Sequence, residues 1–221
     1  MAFVKRISAC LKRLDAGVMN LFEQELCRIL GKENFDKVQS VKIGIAGAGG
    51  LGSNCAFNLT RMGFKKFCIV DFDKVEFSNL NRQFYFYDQI GRNKVEVLKE
   101  NLERINPNVG ITALTQRIER ENIRELFNDC GVVAEAFDRA EYKSLLTEAF
   151  LETDKFIVSA SGLSGVGNSD EIKVHQIKEK FFLIGDLKSD SNDAPPLSAR
   201  VNIAAAKQAD VILDYVLKRM D

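Results

Sequence analysis

The stretch Val41-Lys42-Ile43-Gly44-Ile45-Ala46-Gly47-Ala48-Gly49-Gly50-Leu51-Gly52 decides how the rest of the chain is read. Its first half, Val41 to Ala46, is a short apolar run of the kind that forms a buried strand. Its second half matches G-x-G-x-x-G. A helix is expected from Ser53 to Met62, with Gly63 placed to stop it. Lys66 to Val70, KFCIV, is a second buried strand ending at Asp71. Strand, glycine turn, helix, strand is a βαβ unit. In such a unit Gly47 makes the tight turn, Gly49 lets a phosphate approach the backbone, and Gly52 allows close helix–strand packing. The helix N-terminus offers free N–H groups and a positive dipole end to phosphate. Asp71 lies 19 residues beyond Gly52, where a carboxylate can accept hydrogen bonds from ribose hydroxyls. Thus far the chain reads as a nucleotide or dinucleotide binder, with a nicotinamide enzyme as the default.

Working downstream, strands and helices alternate. Lys94 to Ile105 is a charged amphipathic helix stopped before Pro107, and Gly110 to Leu114 is a strand. Arg120 to Phe127 is a short helix, Val132 to Ala136 a strand, Glu141 to Glu152 a helix and Phe156 to Ala160 a strand. This order predicts an α/β fold: a Rossmann-like, doubly wound, mostly parallel sheet with helices on both faces. After Gly167, Ile172 to Ile177 alternates and Phe181 to Ile184 is a short apolar run. A polar loop from Asp186 to Pro196 leads to a helix from about Asn202 to Arg219, with Ile203, Val211, Ile212, Tyr215 and Val216 as core or dimer contacts. Upstream, residues 3 to 30 step in threes and fours as an amphipathic helix broken near Gly17. The whole chain, 1–221, reads as one domain with an N-terminal helical extension over 1–38.

Composition narrows the class. Thirty-one basic and thirty-one acidic residues cancel, which gives no electrostatic case for nucleic acid or an anionic membrane as main partner. Hydrophobic residues make up 46% and charged residues 28%, as in ordinary soluble globular proteins. No apolar run is long enough to span a bilayer, and no secretory h-region is evident. The five cysteines, Cys10, Cys27, Cys55, Cys68 and Cys130, form no C-x-x-C pair, so no zinc site is expected, and free thiols suit the cytoplasm.

The next segment changes the reading. It runs Asp71-Phe72-Asp73-Lys74-Val75-Glu76-Phe77-Ser78-Asn79-Leu80-Asn81-Arg82-Gln83, with acids, amides and an arginine within thirteen residues. A dehydrogenase has no evident need for such a stretch. Lys94 follows twelve residues after Arg82. An arginine and a lysine converging on a nucleotide suit a triphosphate attacked at its α-phosphate.

On these motifs the chain resembles the ThiF/MoeB/HesA family and the adenylating domains of ubiquitin-activating enzymes, best over residues 30 to 160, and looks nearest to a short ThiF-like group of thiamine biosynthesis. The resemblance implies that Gly47, Gly49, Gly50 and Gly52 shape an ATP loop and that Asp71 holds the ribose. It implies that Asp73, Ser78, Asn79, Arg82 and Lys94 contact the nucleotide, with Arg82 and Lys94 catalytic. Asp138, in Glu135-Ala136-Phe137-Asp138, matches an aspartate associated with Mg²⁺ and the reacting phosphate. The implied reaction is adenylation of the C-terminal glycine carboxylate of a ThiS-like, β-grasp sulfur carrier. A homodimer is implied too, in which an arginine can come from the partner; Arg28 is the candidate here.

The chain also departs from the pattern. Relatives with two C-x-x-C pairs hold zinc, and many carry a late cysteine for covalent relay; no cysteine follows Cys130 here. The enzyme is therefore expected to stop at the adenylate. His175 reads as a structural or surface histidine and Cys55 as a packing residue. Ser159 to Asn168 is either a substrate contact or a plain turn, and Asp186, Asp190 and Asp193 read as a solvated acidic loop. The rivals are the same chemistry on a molybdopterin-type carrier or a tRNA base carboxylate, an NAD(P)-dependent oxidoreductase, and a binding module that has lost catalysis.

Overall fold

A computed structural model describes residues 19–219. The part of the expected N-terminal helix before residue 19, with its break near Gly17, lies outside the described residues. The first described helix, α1 (Leu21–Leu30), opens on a capping box: Asn20 accepts from the Glu23 N–H, and Glu23 reaches back to the Asn20 N–H. Gly31, at φ +79°, then turns the chain into a second helix, α2 (Lys32–Ser40), which the sequence reading did not separate.

The core is a seven-stranded sheet. Its strands are β1 (Lys42–Ala46), β2 (Lys66–Val70), β3 (Gly110–Leu114), β4 (Val132–Glu135), β5 (Phe156–Ala160), β6 (Lys173–Lys178) and β7 (Phe181–Gly185). They lie in the order β3-β2-β1-β4-β5-β7-β6. Every pairing is parallel except β6 against β7. The helices are α3 (Gly50–Arg61), α4 (Lys94–Glu103), α5 (Ile123–Leu126), α6 (Ala140–Phe150) and α7 (Ser198–Arg219).

Period two in the strands sends side chains to two cores. Ile43, Ile45, Phe67 and Ile69 face one side, where α3, α4 and α7 supply Leu51, Cys55, Leu98, Ala205 and Ile212. Ala46, Cys68, Val70 and Val133 face the other, against Ile123 of α5 and Leu146 and Phe150 of α6. The doubly wound expectation therefore holds. Of the C-terminal helix residues named from sequence, Ile212 and Val216 are fully buried and Ile203, Val211 and Tyr215 flank them.

The strand order reverses at β1, whose neighbours β2 and β4 lead away in opposite directions. Loops leaving the carboxyl ends of β1 and β4 part there and open a crevice, the usual ligand position in such sheets.

Candidate nucleotide cleft

A cleft of about 820 Å³ occupies that crevice. The glycine turn forms its floor. Gly47, at φ +100°, donates its N–H to Val70 O at 2.9 Å, and a Cβ there would stand 3.0 Å from Ala136 O. The loop is thus wedged between β2 and β4. Gly52 does not line the cleft. A Cβ on it would lie 1.8 Å from Gly47 O, so it lets α3 rest directly on the loop. Gly49 caps α3 without a side-chain bond, leaving the first N–H groups of the helix for a ligand. Tyr85 braces the loop from behind, its hydroxyl donating to Ala48 O at 2.6 Å.

Asp71 stands at the end of β2. Its Oδ2 accepts from the Ala48 N–H at 2.6 Å and its Oδ1 from the Asp73 N–H at 2.7 Å. Burial raises its pKa above the ordinary carboxylate value, against the pull of the Lys94 charge and the two N–H groups. Lys94 arrives by a short strand-like pairing: Lys74 bridges Asn93, Val75 N–H donates to Arg92 O, and Lys94 N–H donates to Asp73 O. Its side chain is 7% exposed, and its ammonium sits 2.9 Å from Asp73 Oδ2.

The segment Glu76–Gln83 is a folded turn. Asn79 accepts from the Glu76 N–H, and its own carbonyl accepts from Arg82 and Gln83. It is 8% exposed and does not line the cleft; neither does Ser78, whose carbonyl accepts from Arg82 Nη1 at 2.9 Å. As placed, they build the turn that presents Arg82. Asn54 of α3 holds the turn by donating to Arg82 O at 2.8 Å. Arg82 itself lines the cleft, as do Gly47, Gly49, Gly50, Asp71, Asp73, Lys94 and Asp138.

Three features escaped the sequence reading. Gln83 is 9% exposed and lines the cleft, with Oε1 lacking any partner among the described residues. Arg117 lines it as well, its guanidinium 4.5 Å over the Phe72 ring. Beneath the loop carrying Asp138 lies a buried carboxylate, Glu135. It accepts from Phe137 N–H at 2.6 Å, from Lys143 Nζ at 3.1 Å and from the Ser159 hydroxyl. Lys143 also donates to Ala160 O, so β4, α6 and β5 are tied at one point. Asp138 is exposed and makes no hydrogen bond or ion pair among the described residues, which leaves its carboxylate free for a hard cation carried by phosphates.

Charge divides the cleft. Arg82, Lys94, Arg117, Arg139 and Lys143 all belong to the half built on β1 to β4 and α6. The half built after β5 and β7, from Ser161 to Ser164 and from Ser189 to Asn192, presents no cation. Of the other residues noted in the sequence, Cys55 is fully buried, its thiol pushed up to about 12 by desolvation. His175 bonds Gly185 O through Nε2 at 3.0 Å, a structural tie within the β6–β7 hairpin. Asp186 is no solvated acid: it pairs with Arg200. Arg28 is exposed and paired with Glu25 on α1, away from this cleft.

The profile of the ThiF family matches residues 22–196. This chain belongs to the ThiF family. Within the family it is 35% identical over 142 residues to SUMO-activating enzyme subunit 2 of Dictyostelium discoideum, covering 63% of this chain and 21% of that protein. It is 29% identical over 153 residues to the tRNA threonylcarbamoyladenosine dehydratase of Bacillus subtilis, 68% of this chain and 60% of that one. The chain thus spans about a fifth of the first relative. In fold it is similar to the crystal structure of the E. coli tRNA N6-threonylcarbamoyladenosine dehydratase in complex with AMP, with a TM-score of 0.80 at 19% identity, covering 89% of this chain and 94% of that one. None of these three is named for thiamine biosynthesis.

Proposed function

We propose that this chain binds ATP in the cleft and adenylates a carboxylate at the C-terminus of a small carrier protein with a Gly-Gly tail, a ThiS-like carrier being the first to test. The division of charge carries the reading. A triphosphate fits the cationic half, over the glycine loop and within reach of Arg82 and Lys94. An uncharged, extended segment fits the other half, where serines, an asparagine and backbone offer hydrogen bonds beside one acid, Asp190, and no cation. The complex of the structurally similar dehydratase with AMP supports a nucleotide in this fold.

Asp71 would hold the ribose hydroxyls. The N-terminus of α3 would take phosphate oxygens. Lys94, now paired with Asp73, would turn to phosphate, and Arg82 would join it. Neutralising that charge lets an anionic carboxylate approach an anionic phosphate. The acceptor oxygen bonds to the α-phosphorus, the bond to the bridging oxygen breaks, and pyrophosphate departs, leaving an acyl-adenylate. A carboxylate is already ionised at neutral pH, so no general base is needed. Mg²⁺, held by Asp138 with the phosphates, would supply further positive charge when bound.

A tRNA base carboxylate is the second reading, favoured by the likeness to the two dehydratases. ATP–pyrophosphate exchange separates the readings. Exchange that requires the last glycine of a Gly-Gly-tailed carrier and is lost in Asp138→Ala supports the first. Exchange or AMP release driven by tRNA, with none from any carrier, replaces it with the second. A protein that binds ATP and turns over with neither acceptor would be a non-catalytic module.

A further inference from the structure

The half of the cleft that carries no cation is locked by one largely buried ion pair, and the chemistry just described leaves that pair without a role. Arg200, in the first turn of α7, is 4% exposed. Its Nη2 lies 2.5 Å from Asp186 Oδ2, while Nη1 donates to Gly167 O at 2.6 Å and to Asn168 O at 3.1 Å. Its Nε is buried without a partner among the described residues. Asp186 accepts at Oδ1 from the N–H groups of Lys188 and Ser189, each at 2.8 Å. The Ser189 hydroxyl donates to the same oxygen and accepts from Ser164 N–H at 3.1 Å. One guanidinium thereby joins α7, the loop after β5 and the loop after β7.

Those two loops also fit each other closely. Asp186 N–H donates to Gly162 O at 3.1 Å, and Ser161 N–H to Ile184 O at 2.8 Å. A Cβ on Gly162, at φ +78°, would stand 2.1 Å from Asp186 Oδ1; one on Gly185, at φ +148°, would stand 1.6 Å from Ser161 O. Stability alone is a weak reason for such a pair, because well-packed apolar residues commonly replace buried ion pairs without loss. The fold has other fastenings for α7 in Ile212 and Val216.

We propose that Arg200 and Asp186 are positioning residues for the acceptor. They fix Ser161–Ser164 and Ser189–Asn192 as one rigid wall, against which the uncharged acceptor segment lies while its carboxylate reaches the α-phosphate. The inference rests on the carrier-adenylating function proposed above. Neither residue touches a substrate. Neither bonds to Asp71, Arg82 or Lys94, and neither lines the cleft.

The test uses the full chain with Arg200→Lys and Asp186→Asn. Lysine keeps the charge but has no fork to span Asp186 and two carbonyls. Three quantities are measured: ATP affinity by calorimetry with Mg²⁺, KM and kcat for the carrier in pyrophosphate exchange, and backbone hydrogen exchange. The expected result is a carrier KM raised about tenfold or more, with kcat and ATP affinity within about twofold of wild type. Peptides from 161–168 and 186–196 should exchange faster together, with 47–52 and 71–82 unchanged. Equal losses in ATP affinity and carrier KM would overturn the inference. So would unchanged exchange in either loop, or faster exchange in every peptide, which would make the pair a fastening of the whole fold. If wild type gives no turnover with the carrier, the proposed acceptor fails, and hydrogen exchange still decides whether the pair holds the wall.

Discussion

Asp71 meets two conflicting demands. Its burial raises the carboxyl pKa, so the folded chain holds that proton at a pH where the unfolded chain has released it. Its contribution to stability is therefore greatest below the ordinary aspartate value and falls as pH rises through the raised one. Nucleotide binding runs the opposite way, since only the carboxylate can accept from both ribose hydroxyls. ATP affinity should fall as pH drops through that window, and in Asp71→Asn it should be about tenfold weaker and insensitive to pH there. Calorimetric titration across mildly acidic pH checks this. Glu135 poses a different problem, being fully buried and answered by Lys143, which is 24% exposed. Lys143→Ala strands the carboxylate and should cost about 2–3 kcal/mol in a denaturant titration. Lys143→Arg should recover most of that, and Asp138, at the end of the loop Glu135 pins, should regain its effect on turnover with it.

At the scale of elements, the contact of α3 with the glycine loop is the least tolerant joint. Gly52→Ala drives a methyl into Gly47 O, so the helix must lift; we expect a loss of about 3 kcal/mol and of ATP binding together. Chemical denaturation and calorimetry on the one variant test both. The βαβ unit was legible because its signals are local: an apolar run, glycines at set spacing, a strand ending in Asp71. Lys94 was legible through its motif, but the reason it reaches Asp73 is the pairing of Lys74 with Asn93, which no periodicity announces. The turn-building role of Asn79 was not legible because an amide that caps a turn and one that binds phosphate look alike in sequence. The helix α2 was not separated from α1 because KENFDKVQS is mostly polar and buries only Phe35, Val38 and Gln39. Glu135, Lys143 and Ser159 are separated along the chain and meet only when β4, α6 and β5 lie side by side, so no window of sequence contains them.

Across the whole molecule, burial ranks the thiols. Cys55 is fully buried with its pKa pushed up to about 12, Cys68 and Cys130 are 2% exposed, and Cys27 on α1 is half-buried. Of these four, Cys27 should be alkylated first by iodoacetamide under native conditions and Cys55 only after unfolding, as peptide mass spectrometry will show. The division of charge has a consequence on the same scale. Thirty-one cations and thirty-one anions leave no net charge, yet the cations lining the cleft all stand at one end, and the other end carries a single acid, Asp190. The strand β7 lies three places from β1, roughly 14 Å at ordinary strand spacing. At physiological ionic strength the screening length is about 8 Å, shorter than that distance. The two ends therefore feel dissolved salt separately. Raising it should weaken the hold on the triphosphate more than the hold on the uncharged segment of the acceptor, so that the loading order of the two substrates becomes a property of the medium as much as of the protein.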